Sequence, residues 1–353
     1  MRIAHILGTR PNFVKMAPVI AATREGGHNN LVIHTGQHYD RAMSDVFFEE
    51  LGVPEPDHML GVGSGTHAEQ TARVLERLEP VLAGERPDLV LVPGDVNSTL
   101  ASALCAQRLG IPVGHVESGL RSFDREMPEE INRVVADHVS ELLFLHSDEA
   151  VVNLKSEGIG DARMHFVGNT MIDTLVALRE RFGDRNAAGR LGVERGDYLL
   201  VTLHRPALVD TPLLHEATAA LAAVATKLPV VFPVHPRTRK MIGSGVPDGL
   251  SLVDPVGYLD FLSLEADAAG VLTDSGGIQE ETSFLGVPCF TLRDNTERPV
   301  TVRAGTNTLL GLDPARIREI PGLLAGRPRN PPQPPEKWDG QAAQRIARVL
   351  ADW

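Results

Sequence analysis

Short runs rich in Val, Ile and Leu alternate with segments of helical periodicity along most of the chain. That alternation permits few architectures other than parallel sheets wrapped by helices. In the first half, residues 3–7, 31–34, 89–92, 113–116, 142–145 and 165–167 are continuous apolar runs, as strands buried on both faces require. Between them, Val74, Leu75, Leu78, Val81 and Leu82 repeat at helical spacing, as do Ala101, Leu104 and Cys105. A polar, glycine-bearing stretch at 179–196 interrupts the pattern, which then restarts with strand candidates at 198–202, 230–232, 251–253, 271–273 and 287–292. Leu213, Leu214, Ala217, Leu221, Val224 and Leu228 form a helical stripe between the first two of these. The expected fold class is therefore α/β: a Rossmann-like domain over 1–178, a connection at 179–196 and a second Rossmann-like domain over 197–335. Five prolines between 326 and 335 break any regular element; Ile346, Val349, Leu350 and Trp353 then mark one face of a closing helix in 336–353, expected to pack back on the first domain. Two such domains are expected to face a central cleft, each offering it the loops at the carboxyl ends of its strands.

Composition narrows the function. At about 150 residues per domain, 353 residues suit two domains. With 34 Lys and Arg against 46 Asp and Glu, the net charge of −12 argues against a nucleic-acid partner. Cys105 and Cys289 lie far apart inside apolar runs, which speaks against a disulfide framework or a zinc cluster. The opening residues turn into Gly8-Thr9-Arg10-Pro11 before an apolar stretch of export length forms, and no run reaches the roughly 18 apolar residues of a membrane span. A cytoplasmic protein with no membrane partner is expected.

Chemistry is expected where strands end. Residues 8–15 feed a helix and would present backbone N–H groups, with Arg10 and Lys15, to an anion; the segment is neither G-x-G-x-x-G nor a Walker loop. Asp95 follows the run 89–92, and either it or Asn97 also reads as the cap of a helix starting near Ser98. Glu117 ends another apolar strand, with Arg121 as its candidate partner. Glu129 and Glu130 follow Pro128 at a helix start, where the dipole favours acids, and capping alone accounts for one of them. His204 and His235 each follow a strand of the second half; neither has a His or Cys beside it at ligand spacing, so no metal is expected. In residues 273–281 a strand runs into Ser275, Gly276 and Gly277 and a helix begins at once, which suits phosphate, while Glu281 one turn in suits a ribose diol. Arg298 brings a cation to the same edge, and Phe261 offers a ring to stack on a base.

Taken in order, Gly8-Thr9-Arg10-Pro11, Gly94-Asp95-Val96-Asn97-Ser98-Thr99, His115-Val116-Glu117-Ser118-Gly119-Leu120-Arg121, Pro128-Glu129-Glu130-Ile131-Asn132-Arg133, His204-Arg205, Ser275-Gly276-Gly277-Ile278-Gln279-Glu280-Glu281 and Thr296-Glu297-Arg298-Pro299 resemble the non-hydrolysing UDP-N-acetylglucosamine 2-epimerases. The resemblance implies a GT-B fold, a UDP-sugar substrate, no metal and no nicotinamide or other cofactor, and a homodimer. It further implies that UDP-N-acetylglucosamine and UDP-N-acetylmannosamine interconvert by elimination of UDP to a 2-acetamidoglucal and re-addition. It places the catalytic acids on Asp95, Glu117 and Glu129, with His204 from the second domain, and leaves open which acid takes the proton. Diphosphate contacts fall on Arg10, Ser275, Gly276 and His235, the ribose on Glu281 and the uracil stack on Phe261, while Lys15, Gly277 and Arg298 complete the binding set. Ala207 and Leu208 stand where many relatives carry Glu and Asn, and Val96 replaces a common Thr. Gln37-His38-Tyr39-Asp40 resembles the branch acting on 2,3-diacetamido uronic acid nucleotides. That substrate, a hydrolysing epimerase, a GT-B glycosyltransferase and a catalytically silent nucleotide-sugar sensor are the competing readings.

Overall fold

The computed structural model describes residues 1–37, 50–243, 246–247, 250, 252–326 and 333–353 of the chain. His38, Tyr39 and Asp40, Ser251 and residues 327–332 of the proline-bearing stretch lie outside the described residues. The chain divides into two compact units, Met1–Ala177 with Glu336–Trp353, and Leu178–Pro335. Residues 179–196, expected as a connection, carry two short helices, Arg179–Gly183 and Ala187–Arg190, and belong to the second unit, where Ala187 and Ala188 enter the core.

The first unit is built on strands β1 (Arg2–Leu7), β2 (Asn29–His34), β3 (His58–Met59), β4 (Leu89–Pro93), β5 (Val113–Ser118), β6 (Leu142–Leu145) and β7 (Met164–Phe166) in the order β3-β2-β1-β4-β5-β6-β7. Every described pairing in the sheet is parallel. Ile3, Leu7, Leu89, Leu91 and Val116 pack on one face against Phe13, Met16 and Ile20, while Ala4, Ile6, Val90 and Val92 pack on the other against Val74, Leu78 and Leu82. Burial on both faces is why these strands read as unbroken apolar runs. The closing helix, Ala342–Asp352, sets Ala343, Ile346 and Leu350 into the first of these clusters. Burying Ile346 or Leu350 contributes about 1.5–3 kcal/mol each. Asp173 satisfies the start of that helix, its carboxylate accepting from the N–H groups of Ala342 and Ala343 at 3.1 and 2.6 Å. Burial raises the Asp173 carboxyl to about 6 even against those two bonds.

The second unit repeats the plan with β8 (Leu199–Thr202), β9 (Val230–Pro233), β10 (Leu252–Val253), β11 (Gly270–Thr273), β12 (Cys289–Thr291) and β13 (Asn307–Leu309), ordered β10-β9-β8-β11-β12-β13. Leu214, Ala217, Leu221 and Val224 of the Leu213–Ala225 helix cover one face together with Val201, Phe232 and Leu272. The two sheets share a geometric property: the strand order reverses at β1/β4 and at β8/β11. In open parallel sheets that is where ligands bind.

Candidate active site

At the β1/β4 switch point of the first unit, the loop after β1 and the turn after β4 are tied by one side chain. Asn12 Oδ1 accepts from the N–H groups of Gly8 and Thr9 at 3.0 Å each, and its amide reaches the carbonyl of Pro93 at 3.4 Å. The expectation that the amides of this loop cradle an anion is corrected for Gly8 and Thr9, because Asn12 consumes both donors. Arg10 opens the Arg10–Glu25 helix and is exposed. Lys15, one turn further, forms an ion pair with Glu117. Gly94, at φ +63°, holds the space where they meet: a β-carbon there would lie 3.0 Å from Lys15 Nζ and 3.4 Å from Glu117 Oε2. Lys15, the Gly94-Asp95 turn and Glu117 therefore form one cluster, assembled from the ends of β1, β4 and β5.

Glu117 itself is strained. It adopts φ +68° at a register shift between Val116 and Ser118 in the pairing of β5 with β6. For a residue with a β-carbon this conformation costs about 1–3 kcal/mol and persists where the surroundings over-determine it. Arg121, the partner expected from sequence, bonds instead to Asp137 at 2.7 Å and to Glu157 at 2.6 and 2.8 Å. The Pro128–Val139 helix holds the turn after β4: Arg133 donates to Asp95 at 2.6 Å, and Asn132 donates to the Asp95 carbonyl and to Asn97 Oδ1 at 2.9 and 3.2 Å. Neither Asp95 nor Asn97 caps the Asn97–Arg108 helix, whose N-cap is Val96 without a side-chain bond, so the capping alternative is set aside. Of the acid pair in the first turn, Glu130 is buried and binds Ser122, Phe123 and Arg133, whereas Glu129 is half-buried.

In the second unit, His204 follows β8 and Asp274 follows β11, across the other switch point. Asp274 accepts from the N–H groups of His204 and Arg205 at 2.8 Å each, and His204 Nδ1 lies 2.9 Å from its other oxygen. A carboxylate facing Nδ1 fixes the proton there and leaves Nε2 as the outward atom. Burial pushes the Asp274 carboxyl up, but the hydrogen bond and charge of His204 and the two backbone donors outweigh it and hold the group below the usual range. Asp274 orients His204 because the pairing of β8 with β11 brings the two strand ends together.

Ser275 precedes the Gly276–Leu285 helix and makes no side-chain cap bond, so its hydroxyl is not spent on the first helical turn. A β-carbon at Gly276 would run into the guanidinium of Arg298. Arg298 donates to Glu280 at 2.7 Å and to Glu297 at 3.4 Å, so this expected anion contact is also held by two buried acids. Gly277 follows in the same first turn. His235 caps the Pro236–Ile242 helix, its Nδ1 accepting from the Arg237 N–H at 3.3 Å. Phe261 is half-buried on the Tyr258–Asp267 helix, packed against the core that contains Leu264 and Ile278.

Glu281 accepts from the Tyr258 hydroxyl at 2.8 Å. Burial lifts its carboxyl from 4.5 to about 7, the charge of Glu280 adding to the rise and the Tyr258 and Glu265 bonds opposing it. Glu265, fully buried beside it, is pushed well up by burial and by the charge of Glu281. A carboxyl whose folded pKa is raised holds its proton longer in the native state than in the unfolded one. Its stabilising contribution is therefore whole below pH 4.5 and lost as the pH climbs through about 7. Glu281→Gln is expected to reduce the fall in stability across that window in urea unfolding, and an unchanged profile would discard the Glu281 carboxyl as its source.

A family model described as UDP-N-acetylglucosamine 2-epimerase matches residues 21–351. The chain is 43% identical over 364 positions to a UDP-N-acetylglucosamine 2-epimerase of Methanocaldococcus jannaschii, covering 99% of each. It is 42% identical over 358 positions to a UDP-2,3-diacetamido-2,3-dideoxy-D-glucuronate 2-epimerase of Pseudomonas aeruginosa, again covering 99% of each. Among solved structures, the Methanocaldococcus jannaschii UDP-GlcNAc 2-epimerase in complex with UDP-GlcNAc and UDP is similar over 100% of both chains, with a TM-score of 0.91 and 41% identity.

Proposed function

The chain belongs to the UDP-N-acetylglucosamine 2-epimerase family, and from that premise we propose that it interconverts UDP-N-acetylglucosamine and UDP-N-acetylmannosamine by eliminating UDP and adding it back. The hydrogen on sugar carbon 2 is not acidified by an adjacent carbonyl, so removing it alone would leave an unstabilised carbanion. Elimination avoids this: a carboxylate takes the proton from carbon 2, its bonding pair becomes the carbon 1–carbon 2 double bond, and the carbon 1–oxygen bond breaks with its pair leaving on the diphosphate. Return of a proton to carbon 2 from the opposite face, with attack of the diphosphate oxygen at carbon 1, gives the epimer. Acid–base groups are needed on both sides of the ring.

The observation that carries this reading is the strained Glu117 held against Lys15 beside the Gly94-Asp95 turn. Backbone strain of this kind concentrates at functional sites. In the proposal Asp95, Glu117 and Glu129 are the acid–base groups. His204, oriented by Asp274, supports the departing diphosphate, with Ser275 and the amides of Gly276 and Gly277 at a helix start favouring its charge. Arg10, Arg298 and His235 add contacts to the diphosphate, Glu281 accepts from the ribose diol and Phe261 faces the base. A second reading, in which the sugar is the 2,3-diacetamido uronate, is favoured by the Pseudomonas aeruginosa relative.

One experiment tests both. Purified protein and UDP-N-acetylglucosamine in heavy water, without added metal or nicotinamide, are expected to yield UDP-N-acetylmannosamine with deuterium at carbon 2 of the sugar, read by NMR. Accumulating UDP with free N-acetylmannosamine would reassign the chain as a hydrolysing epimerase. Absence of exchange removes the epimerisation of this sugar, and conversion of the diacetamido uronate in a parallel sample would establish the second reading. The same proposal includes a cytoplasmic homodimer. Support comes from Phe123 and Ile131, 75% and 37% exposed, which share a surface depression of the first unit with Val134, Val135 and charged residues such as Arg125, and sedimentation at the mass of one chain would refute it.

A further inference from the structure

We propose that Asp137 is a positioning residue for the epimerisation: through His115 and Gly119, its buried carboxylate holds the two turns that carry Asp95 and Glu117. The inference rests on the proposed function for its kinetic consequences and on geometry for its structural ones.

Asp137 lies near the end of the Pro128–Val139 helix and is wholly buried, as is His115. One carboxylate oxygen is 2.7 Å from His115 Nδ1; the other accepts from the Gly119 N–H at 3.1 Å and from Arg121 at 2.7 Å. His115 and Gly119 stand two residues before and two residues after Glu117, so a single acid from a helix braces both sides of the residue at φ +68°. A β-carbon disfavours that conformation, and nothing local in the strand supplies it. The contact also reaches the neighbouring turn. His115 Nε2 lies 2.6 Å from the Gly94 carbonyl, and the residue after Gly94 is Asp95. A carboxylate and a carbonyl thus each face one ring nitrogen of His115, and the ring bridges the two turns.

His115 and Arg121 face Asp137, and Arg121 also bonds to Glu157 at 2.6 and 2.8 Å. Arg163 donates to the Asp137 carbonyl at 2.9 Å, leaving the Asp137 carboxylate to the strand-end turns. Stability alone gives weak grounds for such an array, since buried ion networks replaced by well-packed apolar side chains are often neutral or stabilising. Fixing two acids that have to meet one ring supplies the missing reason, because displacing a reacting group by about 1 Å costs about 10²-fold in rate.

The test uses full-length Asp137→Asn, which keeps the shape and one accepting oxygen, together with His115→Gln, whose amide nitrogen can still reach the Gly94 carbonyl, and His115→Leu, which cannot. Asp137→Asn is expected to lower kcat by about 10²-fold while KM and the Kd for UDP stay within about twofold. Amide exchange over residues 116–119 is expected to become about tenfold faster. His115→Gln is expected to retain more kcat than His115→Leu at similar thermal stability. Wild-type kcat in Asp137→Asn, a change in KM without one in kcat, or unchanged exchange overturns the proposal. If Asp137→Asn does not fold, the ranking of the two His115 variants decides it. If wild-type protein leaves carbon 2 of UDP-N-acetylglucosamine and of the diacetamido uronate unexchanged, the functional reading has failed, and the exchange rates alone decide whether Asp137 braces the turns.

Discussion

Glu117→Gln is expected to lower kcat for epimerisation by about 10²–10⁴-fold, the range that a positioned acid–base group contributes. The substitution keeps the length and branching of the side chain and leaves the left-handed backbone at this position unchanged in its demands. What it removes is the acid–base capacity proposed for this position, and the charge that faces Lys15. The residues proposed to grip the diphosphate belong mostly to the second unit, around Asp274, Ser275 and the start of the Gly276–Leu285 helix. Calorimetric affinity for UDP is therefore expected to stay within about threefold of wild type, since loss of a group acting in the transition state lowers kcat without weakening ground-state binding. Turnover within about threefold of wild type would remove Glu117 from the chemistry. A parallel loss of UDP binding would mean instead that Glu117 supports the nucleotide site and not proton transfer.

Much of this arrangement was legible in the chain, and the reasons differ by level. Strands such as β1, β4 and β6 announce themselves because burial on both faces leaves no polar alternation to blur them. β3 and β13 did not: His58–Met59 has two residues, and Asn307–Leu309 mixes polar with apolar, so sheet pairing alone recruits them. Residue types at strand ends were equally readable, since His204, Asp95 and Glu117 follow apolar runs directly. Their partners were not. Arg121 is the candidate nearest Glu117 in sequence, yet a strand end and loop do not present residues four apart to one another as a helix does. The actual partner, Lys15, comes from the helix that follows β1. Asn12, Arg133 and Asp274 escaped for a related reason: Asn12 reaches the Pro93 carbonyl, Arg133 the Asp95 carboxylate and Asp274 the His204 and Arg205 amides, each across elements far apart in the chain.

The second large effect is expected in stability. Arg298→Ala should destabilise the protein by about 3–5 kcal/mol in urea unfolding, as breaking a buried ion pair from one side does. The guanidinium donates to Glu280 at 2.7 Å and to Glu297 at 3.4 Å, with side-chain exposures of 8%, 0% and 1% for Arg298, Glu280 and Glu297. Alanine withdraws both bonds and opens the space above Gly276. Glu297 keeps Arg293 at 2.7 Å, so its charge stays paired after the substitution. Acid should reveal how the cost divides. Burial pushes the Glu297 carboxyl up, but the Arg293 hydrogen bond and the charges of Arg298, Arg293 and Arg205 together hold it far below the ordinary range. A carboxyl depressed in the folded state stabilises the protein above its unfolded pKa, near 4.3, and that stabilisation disappears as the pH falls toward the folded value. Removing Arg298 takes away part of the depression, so the difference between wild type and variant should be largest at neutral pH and shrink below about pH 4. Arg298→Lys, which keeps the charge but not the fork that spans two acids, should fall between them. A destabilisation under about 1 kcal/mol, or one that does not change with pH, would show that Glu280 and Glu297 do not depend on Arg298 for their burial.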